Sequence, residues 1–448
     1  MYGCGWVDMT RAGFSGSELR KVRGETQLFG SFVHLPERNP LFFMSSTLST
    51  PLTGIGTPAA ARATDWRLGI PVYVYAVVFS SLCIVWGLLW DIMWHMSIGR
   101  DGLFSPPHVL MYVGAVVAGL FSGYQILDLT FRRNHPDRPA SVKFWGVFYG
   151  SLGALFCVWG ALAMLTSAPF DDWWHNTYGL DVQILTPPHT VLLLGMMTVQ
   201  FGAMIGVLAL QNRNCDALAT SAQSRRIRLM FGISAGLLLA VLYVLLSEEL
   251  GQWRMHHSSF YVNAAVAFPF FLLAVGRASL LRFPLTTITA VYTLALLIPS
   301  WILPLFPATP KLGPVLNPIT HYQAFMFPIL FIVPGFALDL LMRRVRGKAN
   351  DWVLAALAAL VFVGLLLPVQ WFFGEFLHTS PLARNPFFFA DAWSYGNPPD
   401  WPYRYQFHPS QLQPVSDFAL GIVRALVGAF VSARIGLWWG NWMRKVQR

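Results

Sequence analysis

Charged residues are scarce in this sequence: only 12% of its 448 residues are Asp, Glu, Lys or Arg, whereas 55% are hydrophobic. An ordinary globular domain carries roughly twice that charged fraction, so the composition excludes a water-soluble globular protein. The formal charge of +10 is compatible with a nucleic-acid partner, but the basic residues form short clusters between apolar runs, which is the membrane pattern. We therefore exclude nucleic acid and expect the lipid bilayer as the main partner.

Cysteine is also rare, and Cys4, Cys83, Cys157 and Cys215 show no paired spacing. Neither a disulfide framework nor a thiolate metal site is indicated. The first 68 residues lack the apolar core and cleavage site of a signal peptide. They are polar, so we expect residues 1–68 to be a disordered cytoplasmic tail. Because Met44 is a second candidate start, residues 1–43 are either an upstream extension of the gene model or part of a genuine tail.

Apolar runs long enough to cross a bilayer recur along the rest of the chain. They predict an all-α, polytopic integral membrane helical bundle of about ten transmembrane helices, arranged as repeated hairpins. Residues 69–212 hold the first four spans, and residues 213–448 hold six more with a long outer loop at 375–416. The predicted spans are 70–92, 106–130, 144–167, 188–211, 229–248, 260–276, 284–306, 320–342, 351–374 and 417–440.

Lys and Arg are concentrated in the connections that follow the even-numbered spans, such as residues 132–143 and 343–348. Because basic residues are retained on the cytoplasmic side of a membrane, this bias predicts that both termini are cytoplasmic. The expected location is the inner, cytoplasmic membrane of a cell, with the odd-to-even connections at the outer face.

Two consecutive hairpins repeat one pattern of polar residues. In each, an Asp is followed four residues later by a His, and a second His follows a Pro-Pro pair. The first copy is Asp91, His95 and His108, and the second is Asp171, His175 and His189. Residues four apart share one face of a helix, and proline is favoured in the first turn, so each hairpin is expected to bring its three side chains together.

One carboxylate and two imidazoles suit copper, zinc or iron and leave coordination positions open. Ionisable residues at membrane depth are costly and usually functional. The alternative is that these residues cap helices at the outer interface, but two matched copies favour metal. We interpret Arg100, Asp101, Asp172 and Asp181 as a polar cluster around the ligands, and the neighbouring tryptophans as interfacial residues.

The segment from Asp91 to His108, with Trp94-His95, Arg100-Asp101, Phe104 and Pro106, resembles the metal-binding segment of the C subunit of the copper membrane monooxygenases, the particulate methane and ammonia monooxygenases. The resemblance covers residues 70–212. It implies one copper site at Asp91, His95 and His108 and a second at Asp171, His175 and His189, where the family has asparagine in place of Asp171. The six further spans exceed the usual length of that subunit.

These observations lead to three hypotheses about function. The first is a copper-dependent, monooxygenase-like membrane oxidoreductase that uses dioxygen on a small apolar substrate, with partner subunits of a monooxygenase complex among its expected contacts. The second is a metal-ion transporter or metal-handling protein, and the third is a scaffold with vestigial sites. Outer connections hold further ionisable residues that lack the full triplet, and we expect them to be structural or interfacial: His256, His257, His321, Glu375, His378 and His408.

Overall fold

Long apolar runs form the helices of the protein. The computed structural model describes residues 70–179, 186–213 and 222–448, so the predicted tail at 1–68 lies outside the described residues. The helices are α1 (Val72–Ser97), α2 (Pro106–Phe131), α3 (Leu152–Tyr178), α4 (Pro187–Arg213), α5 (Ala222–Leu245), α6 (Ser258–Ala278), α7 (Pro284–Ile302), α8 (Ile332–Val345), α9 (Asp351–Thr379) and α10 (Val415–Met443).

The bundle is all-α and membrane-spanning, as predicted. Within the described ranges, 9 helices are long and apolar enough to cross a membrane. Two short strands, Val142–Phe144 and Phe148–Gly150, pair in a hairpin between α2 and α3. Because this hairpin occupies the start of the predicted third span, α3 begins at Leu152 rather than at residue 144.

The predicted eighth span, residues 320–342, is wrong as a continuous helix. Residues 322–330 have no regular secondary structure, and α8 contains only 14 residues. Pro328 lies at the break, where its missing N–H group and its effect on the preceding residue disfavour a helix, although α3, α6, α7 and α9 each continue through an internal proline. Pro334 lies in the first turn of α8, where proline is tolerated.

This broken segment still runs from one end of the bundle to the other. At one end, the Gln323 amide donates to the Ser97 hydroxyl in the last turn of α1, at 2.8 Å. At the other end, the buried carboxylate of Asp339 accepts from the amides of Leu285 and Thr286, which begin α7. The predicted crossing therefore exists, although only half of it is helical.

Side chains accept hydrogen bonds from backbone amides of the non-helical part. The amide of Ile329 donates to the Tyr292 hydroxyl at 3.1 Å, and the amide of Leu330 donates to the Gln370 side-chain oxygen at 3.2 Å. Ile329 and Tyr292 are fully buried. Irregular backbone at membrane depth is tolerated only where protein surrounds it, which is the case here.

Close helix packing builds the two hairpins that carry the repeated motif. Pro106 is the first residue of α2 and Pro187 the first residue of α4, as the Pro-Pro pairs predict. Between α3 and α4, a side chain at Gly160 would lie 2.7 Å from the carbonyl oxygen of Gly195. Small residues at this contact let the two backbones approach closely, and all described residues belong to one compact unit.

Candidate metal centre

The first motif forms a cluster where α1 ends and α2 begins. Asp91 and His95 lie on the last turns of α1, and His108 lies in the first turn of α2. His108 Nε2 is 3.2 Å from Asp91 Oδ1, and His95 Nε2 is 3.8 Å from Asp91 Oδ2. The three residues predicted to act together are therefore brought together.

Asp101, which lies in the turn between the two helices, belongs to the same cluster. Its Oδ2 atom is 3.2 Å from His108 Nε2 and 3.5 Å from His95 Nε2. Ligand atoms of Asp91, His95 and Asp101 all lie within 4.8 Å of one another. Asp101 was expected only to support the ligands, because its distance along the chain from both histidines carries no periodic signal.

The environment of Asp101 favours its charged form. Burial acts to raise the pKa of its carboxyl group, but the hydrogen bond with His95 and the charges of His95 and His108 outweigh burial. The pKa of Asp101 therefore lies below the usual carboxyl range, and the cluster has two carboxylates facing two imidazoles.

The second motif forms an equivalent cluster where α3 ends and α4 begins. His175 Nε2 is 3.6 Å from Asp171 Oδ2, and His189 Nε2 is 3.4 Å from Asp171 Oδ1. The ligand atoms of these three residues lie within 4.8 Å of one another. Asp172 accepts a hydrogen bond from Asn176, and Asp181 lies outside the described residues.

In both clusters, the carbonyl oxygen of a glycine eight residues after the Asp lies beside Nδ1 of the first histidine. His95 Nδ1 is 3.2 Å from the carbonyl oxygen of Gly99, and His175 Nδ1 is 3.1 Å from that of Gly179. Both glycines have positive φ, 84° and 88°, a backbone conformation that suits glycine. A carbonyl oxygen only accepts, so each Nδ1 donates its proton and each Nε2 is left to face the carboxylates.

This glycine extends the repeat to Asp-x3-His-x3-Gly, a pattern that is present in the sequence but was not among the predicted features. His108 is oriented in the same way by a different glycine, because its Nδ1 is 3.0 Å from the carbonyl oxygen of Gly102. Three imidazoles in the two clusters are thus oriented by backbone carbonyls, the arrangement that commonly supports metal-bound histidine.

The distances within both clusters fit a shared cation. Two ligand atoms that are each about 2.1 Å from a tetrahedral ion lie about 3.4 Å apart, and the imidazole-to-carboxylate distances here range from 3.2 to 3.8 Å. Neutral imidazole nitrogens and ionised carboxylates are also the donor types that copper, zinc and iron accept. Both sets of residues therefore fit a metal ion of this class.

Outer loops brace the first cluster. The Tyr395 amide donates to the carbonyl oxygen of Met96 at 3.2 Å, and the Lys311 amide donates to that of Ile98 at 2.8 Å. A side chain at Gly99 would collide with the Tyr395 ring. In the described part of the chain, no backbone hydrogen bond from these loops reaches residues 171–179.

Tyr112 lies between the clusters. It follows His108 by one helical turn, and the two ring centroids are 6.2 Å apart. The carboxylates of Asp91 and Asp171 both act electrostatically on its phenol group. No sequence pattern predicts this position of Tyr112, because only the packing of α2 against both α1 and α3 places it there.

The remaining outer histidines make local contacts. His256 stacks between Trp371 and Phe407, with ring centroids 3.9 and 4.0 Å away, and its Nε2 is 3.3 Å from Glu375. Three others accept or share hydrogen bonds with nearby backbone or hydroxyl groups, namely His257, His321 and His408. His378 Nε2 donates to the Gln406 carbonyl.

Among the described residues, none of these histidines belongs to a group of three candidate ligands. Comparisons of the chain with known protein families, with curated proteins and with solved structures give no match.

Proposed function

We propose that this protein is a copper-dependent membrane oxidoreductase that acts with dioxygen on a small apolar substrate, in the manner of a monooxygenase. The observation that carries the proposal is the pair of Asp/His clusters. They share their sequence spacing, the hydrogen bond from histidine Nδ1 to a glycine carbonyl, and their position at one end of adjacent helical hairpins. Helix capping requires no such convergence of side chains from two helices.

The chain's own residues would bind and orient the ion. His95 and His108 with Asp91 and Asp101 would hold it at the first centre, and Asp171 with His175 and His189 at the second. Backbone carbonyls keep each donating Nδ1 proton in place, so Nε2 remains available as a ligand. A bound copper ion supplies redox chemistry with dioxygen and exchangeable coordination positions.

Copper is proposed on the resemblance of residues 70–212 to the monooxygenase C subunit, and zinc and iron accept the same donors. Asp171 adds a negative charge where that resemblance implies asparagine. This difference raises the attraction for a divalent ion, so metal preference is the property in which this chain is expected to depart from that family.

The position of the clusters suits a substrate that arrives from the bilayer. Both lie at the ends of helices that are apolar enough to span a membrane, and exposed apolar residues such as Phe104 and Trp173 are close to them in the chain. We further propose that this end faces outward, as the concentration of basic residues at the other end indicates. Partner subunits of a monooxygenase complex are part of the same proposal.

The broken eighth segment supports a second candidate, a metal-ion transporter, because transporters use discontinuous helices near the membrane midplane. Here the polar groups along the break, Tyr292 and Gln370, bond to backbone. Among the described residues, both groups of candidate ligands lie at helix ends. A path of sites across the membrane is therefore not present in this part of the chain, and the oxidoreductase is favoured. A scaffold with vestigial sites is the third candidate.

Metal analysis of the protein purified in lipid nanodiscs tests the proposal. We expect copper to be retained by the wild-type chain and lost from a variant with His95→Ala and His175→Ala. His135→Ala provides the matched control, because His135 Nε2 is also 3.4 Å from a carboxylate, that of Asp128, but His135 belongs to no group of three candidate ligands among the described residues. Equal copper content in the double variant and the control would reject a metal centre.

Two activity measurements separate the candidates once metal is found. Dioxygen consumption that depends on both copper and a small hydrocarbon supports the oxidoreductase. Copper flux into sealed proteoliposomes without dioxygen consumption supports the transporter, and copper binding with neither activity supports the scaffold.

A further inference from the structure

A cavity of about 330 Å³ lies away from both clusters, between helices α3, α4, α5, α6 and α10. It is open on one side, where the exposed side chains of Leu194 and Trp439 form its rim. Both rim residues belong to helices that can span a membrane, so the opening faces the hydrocarbon of the bilayer. Its volume is in the range of ligand-binding pockets.

The walls of this cavity offer almost nothing to a polar ligand. They consist of aliphatic, aromatic and methionine side chains, with Thr198 and the Trp439 indole as the polar-bearing exceptions. The Thr198 hydroxyl already donates to the carbonyl oxygen of Leu194 at 2.6 Å. A hydrocarbon chain is therefore the chemical group that the cavity fits.

The lining is elongated along α4. It extends from Leu194 to Met204, which corresponds to about 15 Å along a helix. That length is about half of the ~30 Å hydrocarbon core and is comparable with the length of one acyl chain. A small substrate would need only a fraction of it.

Basic residues lie at one end of the cavity. Met443 lines it and is followed directly by the exposed residues Arg444 and Lys445. This end is opposite the metal clusters, since Asn212 at the end of α4 donates to the carbonyl oxygen of Met443. Within the described residues, neither Arg444 nor Lys445 forms an ion pair with a carboxylate. Basic groups beside a cleft between membrane helices are typical sites for anionic lipid headgroups.

We propose that this cavity binds an anionic phospholipid, with one acyl chain between α4, α6 and α10 and its phosphate at Arg444 and Lys445. The apolar lining and the adjacent unpaired basic residues select such a molecule together, because hydrocarbon alone would not need the charges. This site does not depend on metal binding by the two clusters.

Native mass spectrometry of protein from nanodiscs containing phosphatidylglycerol and phosphatidylcholine tests this site. In a variant with Arg444→Gln and Lys445→Gln, we expect bound phosphatidylglycerol to be retained roughly 30-fold more weakly, since each basic residue contributes to the attraction. Arg346→Gln with Lys348→Gln is the control, because that exposed pair follows α8 and does not line the cavity. Equal retention in the two variants would overturn the headgroup contact.

The acyl-chain contact needs its own variant. Thr198→Phe places a ring into the cavity at a position that is not fully buried, and Val113→Phe adds the same ring at an exposed position of α2. We expect only Thr198→Phe to release the lipid, with thermal unfolding and copper content unchanged in both. Retained lipid in Thr198→Phe would overturn the proposal, and loss of hydrocarbon-dependent dioxygen consumption with lipid retained would assign the cavity to the substrate instead.

Discussion

The two repeated hairpins have the same local hydrogen bonds but different surroundings. In the first, His108 is only 15% exposed, Asp101 adds a second carboxylate, and Tyr395 braces the turn. In the second, the equivalent His189 is 34% exposed, and among the described residues the Asp171 carboxylate contacts both imidazoles. Helix α1 is more buried than α3, 56% against 39% of the apolar window. Spacing along a helix therefore sets which side chains converge, whereas burial depends on where the hairpin packs.

Removing both carboxylates of the first centre should give the largest effect. We expect the double variant Asp91→Ala, Asp101→Ala to lower copper affinity there by more than about 100-fold, beyond the loss typical of residues that only support ligands. Asp91→Ala alone should cost roughly ten times less, because Asp101 still faces both imidazoles. Copper titration of each variant measures the two losses, and apo thermal stability should change little.

Helix capping predicts a different outcome for the same variants. Loss of a cap costs on the order of 1 kcal/mol of stability with little dependence on metal. Equal copper affinities in Asp91→Ala and in the Asp91→Ala, Asp101→Ala double variant would show instead that Asp101 is not a ligand.

Removing the Tyr395 side chain should affect only the first centre. We expect Tyr395→Ala to weaken copper binding there by about tenfold, because the turn that carries Asp101 loses the ring packed against Gly99. Tyr395→Phe keeps that ring and should bind copper like the wild type. The readout is copper stoichiometry in a background with His175→Ala, which isolates the first centre. An equal loss at both centres would point to general destabilisation.

Converting Asp171 to asparagine should have a smaller effect. Asp171→Asn would restore the residue type that the resemblance to the monooxygenase C subunit implies, and the oxygen of the amide side chain can still reach an ion. We expect copper binding at the second centre to become only several-fold weaker, as one charge is lost while the ligand geometry is kept. Abolished binding, measured by the same titration, would mean that this centre differs in kind from that family's.

His256 offers a comparison at the same end of the molecule without a cluster. Burial between Trp371 and Phe407 is the main cause that lowers its pKa below the ordinary value, despite the opposing effect of Glu375. Since the unfolded chain then binds the proton more readily, the free energy of unfolding should fall as pH drops below about 6.5 and level off below the folded pKa. His256→Phe should remove this small dependence in detergent thermal unfolding measured against pH. An unchanged pH profile would assign the dependence to other groups.

Several features could be predicted because they depend on local periodicity. The Asp-x3-His spacing places both side chains on one face of α1 or α3 whatever surrounds the helix, and the Pro-Pro pairs begin α2 and α4 as expected. The break in span eight could not be predicted, since the composition of this span is as apolar as that of a helix. The break at Pro328 depends on Tyr292 and Gln370, which replace the lost helical hydrogen bonds.

The sequence by itself determined the membrane class of the protein, the order of nearly all its helices and the six side chains that meet in two clusters. These follow from hydrophobic length and helical spacing, which act between near neighbours in the chain. Only the tertiary structure decided that Asp101 joins the first cluster, that Tyr112 lies between the clusters and that Tyr395 supports Gly99 from almost 300 residues away. Such contacts depend on which helices and loops pack together, and no period in the sequence records that.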